Sequence, residues 1–528
     1  MQTSSQAQPQ AQQEDLGVLQ VRGVENDDFL KVERNGMEPI PDTDRHGAPR
    51  ELGLVWTGAM ANYVSLITGA LALAAAGYIG ATGQLGLVDS AIAIVVGAGL
   101  AAALHGLVSA TGARTGTPQM IFARAVFGHR GAYLGAALTW IMAVGWFAID
   151  CIIGGWALVQ LLGLAGVPKT TGVALGAITF MLASSVVVAV FGHQTVHVFE
   201  KYGAIVFGAF CALLFVVLFP RIHWNLPTTV HGAPRLAAMV LAGSFIYALV
   251  ASWIPFASDY SRYLPRGASS GKVAWWAGLG IGLPTALLGI LGVALLTIDP
   301  SNSDLLSVIT RAAPPWLAVP FLLFVVLGEI WANYFDVYTA GLVALAMDIP
   351  LRRWWSALLC GVVGAVLVYW IGLFSHFNQA RTYAELTSSF LGVYVNFLLL
   401  TYLWVPAWAA VLLIDFFVFR RGRYAADQLT SGRRGIYWYR GGWFWLALAA
   451  WLIGVAATIP FIGSAQLPWM AEPWQGPLAR LLGGSDISGI VGAVVSGAVY
   501  YGLGRWRFAP SGAERATVHG EKEQVAQA

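Results

Sequence analysis

The chain has 528 residues, of which 57% are hydrophobic and only 11% charged, against about 25% charged in an ordinary soluble domain. That balance excludes a soluble enzyme or a string of soluble domains. A formal charge of +3 spread over this length leaves no basic face for nucleic acid. The 22 tryptophans and 61 glycines suit interfacial aromatic belts and close-packed membrane helices. This is the composition of an all-α polytopic membrane protein.

The first fifty or so residues are polar, rich in Gln, Asp and Glu, and read as a disordered cytoplasmic tail over 1–52, with no cleavable signal peptide. Apolar stretches near the 20 residues a bilayer crossing needs then recur twelve times, at about 54–80, 86–110, 133–163, 171–191, 202–219, 236–258, 273–297, 316–346, 355–374, 384–419, 443–463 and 487–504. The tenth would be roughly 54 Å long as one helix. It is either two crossings, or one that bends at Pro406 and runs on along the cytoplasmic surface. Six arginines follow it (Arg420, Arg421, Arg423, Arg433, Arg434 and Arg440). The positive-inside rule places that loop in the cytoplasm, which a single crossing achieves. With that topology 24 of the 30 Lys and Arg fall on cytoplasmic segments, six on external loops and none in a membrane core. Both termini are then cytoplasmic, in the plasma or inner membrane of the cell.

Cys151, Cys211 and Cys360 lie in apolar runs with no CxxC spacing, so neither a disulfide framework nor a metal site is expected. His193 and His197 are four apart but in a short turn without a third ligand, and read as solvated. No P-loop, HExxH or GxSxG motif is present, so ATP-driven transport and hydrolysis lack their residues.

Three carboxylates stand near mid-membrane: Asp150 in the third segment, Glu329 and Asp336 in the eighth. At this depth a carboxylate costs about 2.5–3.5 kcal/mol and marks a functional site by default. No basic residue is available to pair with them, which leaves them protonated, hydrated, or open to a cation or hydrogen-bond donor. Trp146 lies one helical turn before Asp150 on the same face. That pairing suits a flat heterocycle that stacks on indole and donates to the acid. In the sixth segment Ser252-Trp253-Ile254-Pro255 predicts a helix broken near its middle, as at many transporter substrate sites. Asn62 and Ser65 interrupt the apolar first segment and suggest a second break and further substrate contacts.

NGMEPIPDTDRHG (35–47), RTGTPQMIFARAVFGHRGAYL (114–134), GWFAID (145–150), WIPFASDYSRYLP (253–265), GEIWANYFDVYTAGL (328–342) and IDFFVFRRGRY (414–424) together resemble the purine-cytosine permease branch of the nucleobase:cation symporter-1 family. The resemblance implies a LeuT-like inverted repeat with five helices over 53–220 and five over 236–420. A cytoplasmic Arg-rich loop (421–442), two peripheral helices (443–506) and a cytoplasmic tail (507–528) would follow. It implies alternating access, and a substrate site using Trp146 and Asp150, with Trp253 as a second stacking surface and Asp336 as a polar contact. Relatives often carry an amide where this chain has Asp150, Glu329 and Asp336. An amide both donates and accepts, whereas an ionised carboxylate only accepts, so the exchanges favour a donor-rich or cationic ligand. In sodium-coupled relatives, hydroxyl residues on the eighth segment help coordinate the ion. Ile330 and Trp331 stand near that turn here without a Ser/Thr pair, so Glu329 is the leading candidate for coupling and a proton the expected co-transported ion, with sodium as the alternative.

The expectation is therefore a twelve-helix symporter, not an enzyme, that uses no cofactor and imports cytosine, a purine or a related heterocycle. Asp259 and Arg262 would form a gating or structural pair at the cytoplasmic end of the sixth segment. Same-fold carriage of a cationic compound such as thiamine is the alternative. A channel fits less well, because the buried acids cluster at one depth, and so does a membrane-embedded enzyme, whose carboxylates or histidines would more usually sit at the interface. Its partners are a small heterocycle and the bilayer.

Overall fold

A computed structural model of the chain describes residues 37–191, 193–349, 353–374, 383–464 and 474–508. Among them the regular structure is helical. In chain order come α1 (Pro49–Met60), α2 (Tyr63–Ala70), α3 (Ala75–Tyr78), α4 (Leu87–Thr115), α5 (Gln119–Phe127), α6 (Ala132–Leu164), α7 (Thr171–Phe191) and α8 (His193–Leu218). Next are α9 (Gly232–Ala251), α10 (Ala257–Ser261), α11 (Ser270–Leu296), α12 (Leu305–Ala312), α13 (Pro315–Ala346) and α14 (Arg353–Phe374). The last are α15 (Tyr383–Leu413), α16 (Trp445–Thr458), α17 (Pro477–Leu481) and α18 (Ser488–Arg507).

Each of the twelve apolar segments coincides with a helix. Eight spans are long and apolar enough to cross a membrane, and α1 with the helix through Tyr78 forms a ninth, bent by 68°. The ninth and eleventh segments fall on α14 and α16, whose apolar stretches are shorter, Leu358–Tyr369 and Trp445–Phe461. The twelfth falls on α18. Nine crossings among the described residues thus meet the length and apolarity required, and twelve stands as an expectation.

Three local expectations are corrected. Residues 37–52 are folded rather than a loose tail: α1 begins at Pro49, and the buried Arg45 donates to Ile40 O at 3.0 Å and Ala113 O at 2.9 Å. The stretch after α4 forms α5, buried along its whole length. The tenth segment is one helix that passes through Pro406 into a π-helical turn, Ile414–Phe419. That turn does not run along the surface, because Asp415 and Phe416 are buried. Asp415 accepts from Arg420 Nε at 2.7 Å, Tyr424 OH at 3.0 Å and Tyr500 OH at 2.8 Å, which draws it inward. His193 begins α8 instead of lying in a turn; the side chains of His193 and His197 lie outside the described residues.

The order and length of the helices repeat. A broken segment (α1–α2, then α9–α10) is followed by a long helix (α4, 29 residues; α11, 27), a short one (α5, nine; α12, eight) and a very long one (α6, 33; α13, 32). Two further helices close each series, α7 and α8, then α14 and α15. The first series holds five crossings, an odd number that starts the second from the opposite side of the membrane. The matched helices group in space: α1, α2, α4, α9 and α11 pack together, while α6, α7, α13 and α14 form another set. Within the first set the backbones touch. A Cβ on Gly97 would stand 2.2 Å from Gly243 O, and one on Gly69 2.2 Å from Gly289 Cα. Small residues at such crossings let membrane helices gain close van der Waals packing, since lipid offers no hydrophobic drive for association.

Candidate functional site

The first segment breaks at Ala61 and Asn62, and its two polar residues serve the break itself. Asn62 caps α2, its Oδ1 accepting from Ser65 N at 3.1 Å, while its Nδ2 donates to Ala59 O at 2.9 Å. Ser65 Oγ donates to Met60 O at 2.7 Å. Without these side chains the interrupted turns would leave backbone groups unpaired in an apolar surrounding.

The sixth segment is interrupted nearer its end than its middle. Pro255 sits in a 3₁₀ turn, Ile254–Phe256, where Trp253 N bonds to Val250 O at 3.2 Å and Phe256 N to Trp253 O at 3.0 Å. These tighter bonds replace the one proline removes. The half-buried Trp253 ring lies edge-on to Trp56, with centroids 5.9 Å apart. Trp56, fully buried, also meets His105 at 4.3 Å and Tyr260 at 5.2 Å. Asp259 Oδ1 accepts from Gln119 N at 2.7 Å, so its charge faces the N-terminus of α5. Arg262 is buried, with its guanidinium 5.2 Å from the Tyr263 ring. Arg262 Nη2 also donates to Tyr263 OH at 3.3 Å.

On the other side of the molecule α6 and α13 carry the three acids. Glu329 and Asp336, seven residues apart, share one face of α13 with Asn333 between them. Asn333 Nδ2 donates to Ser185 Oγ on α7 at 2.9 Å and to Cys151 Sγ on α6 at 3.2 Å. Glu329 crosses α6 one turn beyond Asp150, since a Cβ on Gly154 would sit 3.2 Å from Glu329 Cβ. Asp150, Glu329 and Asp336 lie near enough for each to feel another's charge. Among the described residues, Asp150 Oδ1, Glu329 Oε2, Asn333 Oδ1 and Asp336 Oδ2 are buried without a protein partner. Such atoms are costly to leave unmade. The cluster therefore offers four acceptors converging from two helices.

Trp146, half-buried, stands one turn before Asp150, edge-on to Phe397 at 5.1 Å and Tyr394 at 6.1 Å on α15. Tyr394 OH in turn meets Thr68 Oγ1 at 2.5 Å, tying α15 to α2. The two tryptophans thus pack on different neighbours, Trp146 on α15 and Trp253 on α1. Asn333, Ser185, Trp56 and Tyr394 were missed in the sequence, where an uncharged polar or aromatic residue in an apolar helix reads as packing.

A small cavity lies elsewhere, lined by Tyr63, Ile153, Trp156, Asp304, Phe390 and Leu391 among others, and by none of the predicted site residues. Asp304 closes its rim, accepting from Gln160 Nε2 at 2.8 Å and capping α12 through Ser307 N at 3.2 Å. Burial pushes the Asp304 carboxyl above its ordinary range despite these donors and the nearby Lys169. The acid cluster itself is the better-built site, because its groups converge without cancelling one another.

Broken helices in a doubled five-helix architecture, with unpaired acids between the long helices, define a multi-pass membrane transporter rather than an enzyme. Residues 39–492 match the family described as permease for cytosine/purines, uracil, thiamine, allantoin, and the chain belongs to that family. It is 29% identical over 485 residues to a putative purine-cytosine permease, YxlA, of Bacillus subtilis, covering 90% of this chain and 96% of that protein. It is 24% identical to the purine-cytosine permease fcyB of Emericella nidulans, over 87% of this chain and 85% of that one. Among solved structures it resembles the inward-facing conformation of Mhp1 with a TM-score of 0.68 and 19% identity, covering 92% of this chain and 97% of Mhp1. Mhp1 closed around bromovinylhydantoin gives 0.66 and 18%, over 92% and 98%. The fold is accordingly LeuT-like.

Proposed function

We propose that this permease imports a nucleobase, cytosine or a purine, or a closely related heterocycle, by proton symport with alternating access. The observation that carries the reading is the set of acceptors on Asp150, Glu329, Asn333 and Asp336 that have no partner among the described residues, with Asp150 one turn from the half-buried indole of Trp146. A flat ring stacked on Trp146 and Trp253 presents its N–H groups to Asp150 and Asp336, which hold no donor of their own when ionised. Glu329 takes a proton from the outer side and releases it inward. A proton on Glu329 relieves the repulsion a third charge would add, leaving Asp150 and Asp336 ionised to accept the ligand, so proton and ligand favour each other's binding. The names of the relatives support the substrate class, and the family's description includes both nucleobases and thiamine. The protein would lie in the plasma or inner membrane with both termini cytoplasmic, the side that the positive-inside rule assigns to the Arg-rich loop.

The test is thermal stabilisation of the purified full chain by nucleobases, vitamins and amines at about pH 5.5 and about pH 7.5, with and without sodium, since a ligand of the folded state raises its apparent stability by mass action. Stabilisation by cytosine or a purine, independent of sodium and lost in Asp150→Asn, is expected. A shift with cationic compounds alone, thiamine included, would replace nucleobase by cationic heterocycle. A response that requires sodium would remove the proton from the reading.

A further inference from the structure

The Arg-rich loop is not a solvated charge run. It folds onto the turn between α5 and α6 through backbone bonds: His129 N to Tyr437 O at 3.2 Å, Arg130 N to Gly442 O at 2.8 Å, Gly131 N to Gly442 O at 3.1 Å and Phe444 N to Phe127 O at 2.9 Å. Gly442 has φ +95°, and a Cβ on it would stand 2.8 Å from Arg130 Cγ, so only glycine lets the two strands of chain meet this closely. The result is a fixed platform. Upon it the guanidinium carbons of Arg130 and Arg433 lie 5.2 and 5.8 Å from the Trp438 ring centroid.

Both arginines are exposed, and among the described residues neither makes an ion pair. The nearby carboxylate does not neutralise them: Asp348 is engaged by Arg124 at 2.7 Å, by His129 at 2.7 Å and by Tyr133. The His129 ring stands 5.4 Å from Trp438, and exposed Asp427 accepts from Gln428. Beside the platform the apolar helix α16 begins. Trp445, 60% exposed, stacks on Trp443 at 5.4 Å, and Ile436 is 62% exposed. Tryptophans at the start of an apolar helix mark the headgroup level of a bilayer. Guanidinium groups stacked on an indole keep their planar N–H edges free, the geometry that takes phosphate bidentately.

We propose that Arg130 and Arg433, held on Trp438, bind the phosphate of an anionic phospholipid headgroup, with the acyl chains along α16 beside Trp445 and Ile436. The unpaired positive charge selects an anionic headgroup, and the exposed apolar residues at its edge select a lipid over free phosphate. A site of this kind fixes the α5–α6 turn, and with it the base of the acid-bearing helix α6, to one leaflet.

Native mass spectrometry of the full-length protein in detergent tests this with phosphatidylglycerol, phosphatidylcholine and inorganic phosphate as probes. Discrete phosphatidylglycerol adducts are expected at concentrations about tenfold below those for phosphatidylcholine, and Arg130→Gln/Arg433→Gln should abolish that preference. Trp438→Leu should weaken it. If the double variant does not elute as a folded protein, Arg433→Gln alone serves, since Arg433 is exposed and its loop is held by other groups. Equal retention of the two lipids, phosphatidylglycerol retention unchanged in the variants, or displacement of the lipid by inorganic phosphate at matched concentration would each overturn the proposal.

Discussion

Asn333 on α13 donates to Ser185 Oγ on α7 at 2.9 Å while its own Oδ1, wholly buried, accepts from none of the described residues. One half of the amide is therefore structural and the other half is presented to the acid cluster. Asn333→Leu removes both and should lower stability by about 1 kcal/mol, the scale of an interhelical hydrogen bond in a membrane. It should also abolish ligand-induced stabilisation. Ser185→Ala removes the tether alone and should retain the ligand response. Thermal unfolding with and without ligand separates the two.

Glu329 is the carboxylate of the cluster set directly against Gly154 of α6. In proteoliposomes, Glu329→Gln should exchange substrate across the membrane yet lose accumulation driven by an inward proton gradient, by about tenfold or more. Gradient-driven accumulation at the wild-type level would remove Glu329 from the coupling step.

The contact between α2 and α11 leaves no room at Gly69, where a Cβ would lie 2.2 Å from Gly289 Cα and O. Both obstacles are backbone, so no side chain can turn aside. Gly69→Ala should cost about 1–3 kcal/mol as overpacking. Gly58→Ala, where a Cβ meets nothing within 4 Å, should be neutral or slightly stabilising, because alanine favours helix. Melting temperatures of the two variants by light scattering give the comparison.

Asp348 follows α13 in the left-handed region, φ +58°, which Asn tolerates as well as Asp. Burial raises its carboxyl, but hydrogen bonds from His129 and Tyr133 and the Arg124 charge outweigh it, holding it well below the usual carboxylate range. A depressed folded pKa contributes stability that is present above the unfolded value, about 3.9, and is lost as pH falls through the lower folded one. Asp348→Asn should thus destabilise the protein near neutral pH by on the order of 1 kcal/mol, since a half-exposed group is screened by water. Unfolding followed from neutral pH downward should show the gap from wild type closing below about pH 4.

Much of the site was legible because charge in an apolar helix is rare. Asp150, Glu329 and Asp336 stood out on that ground alone, and the structure brings them together between α6 and α13. Asn333 did not stand out, since one amide carries no charge to betray it. Helices α5 and α12 were missed because eight or nine residues are too short to register against the length of a crossing. Arg124, one of the cations counted on cytoplasmic segments, is buried and donates to Ala346 O at 2.8 Å and to Asp348.

Hydropathy, charge asymmetry and family motifs in the sequence determined the class, the helical segments and the candidate acids. These are properties of local composition, read by a bilayer that admits only apolar, internally bonded helices. Tertiary structure alone decided which polar atoms were consumed and which left open. Asn62 and Ser65 spend their bonds on closing a break in their own helix, whereas Asp150 Oδ1 and Asn333 Oδ1 find no partner among the described residues. Hydrogen-bond satisfaction depends on which helices cross, and at what distance, and that is set by contacts such as Gly69 on Gly289, 220 positions apart in the chain.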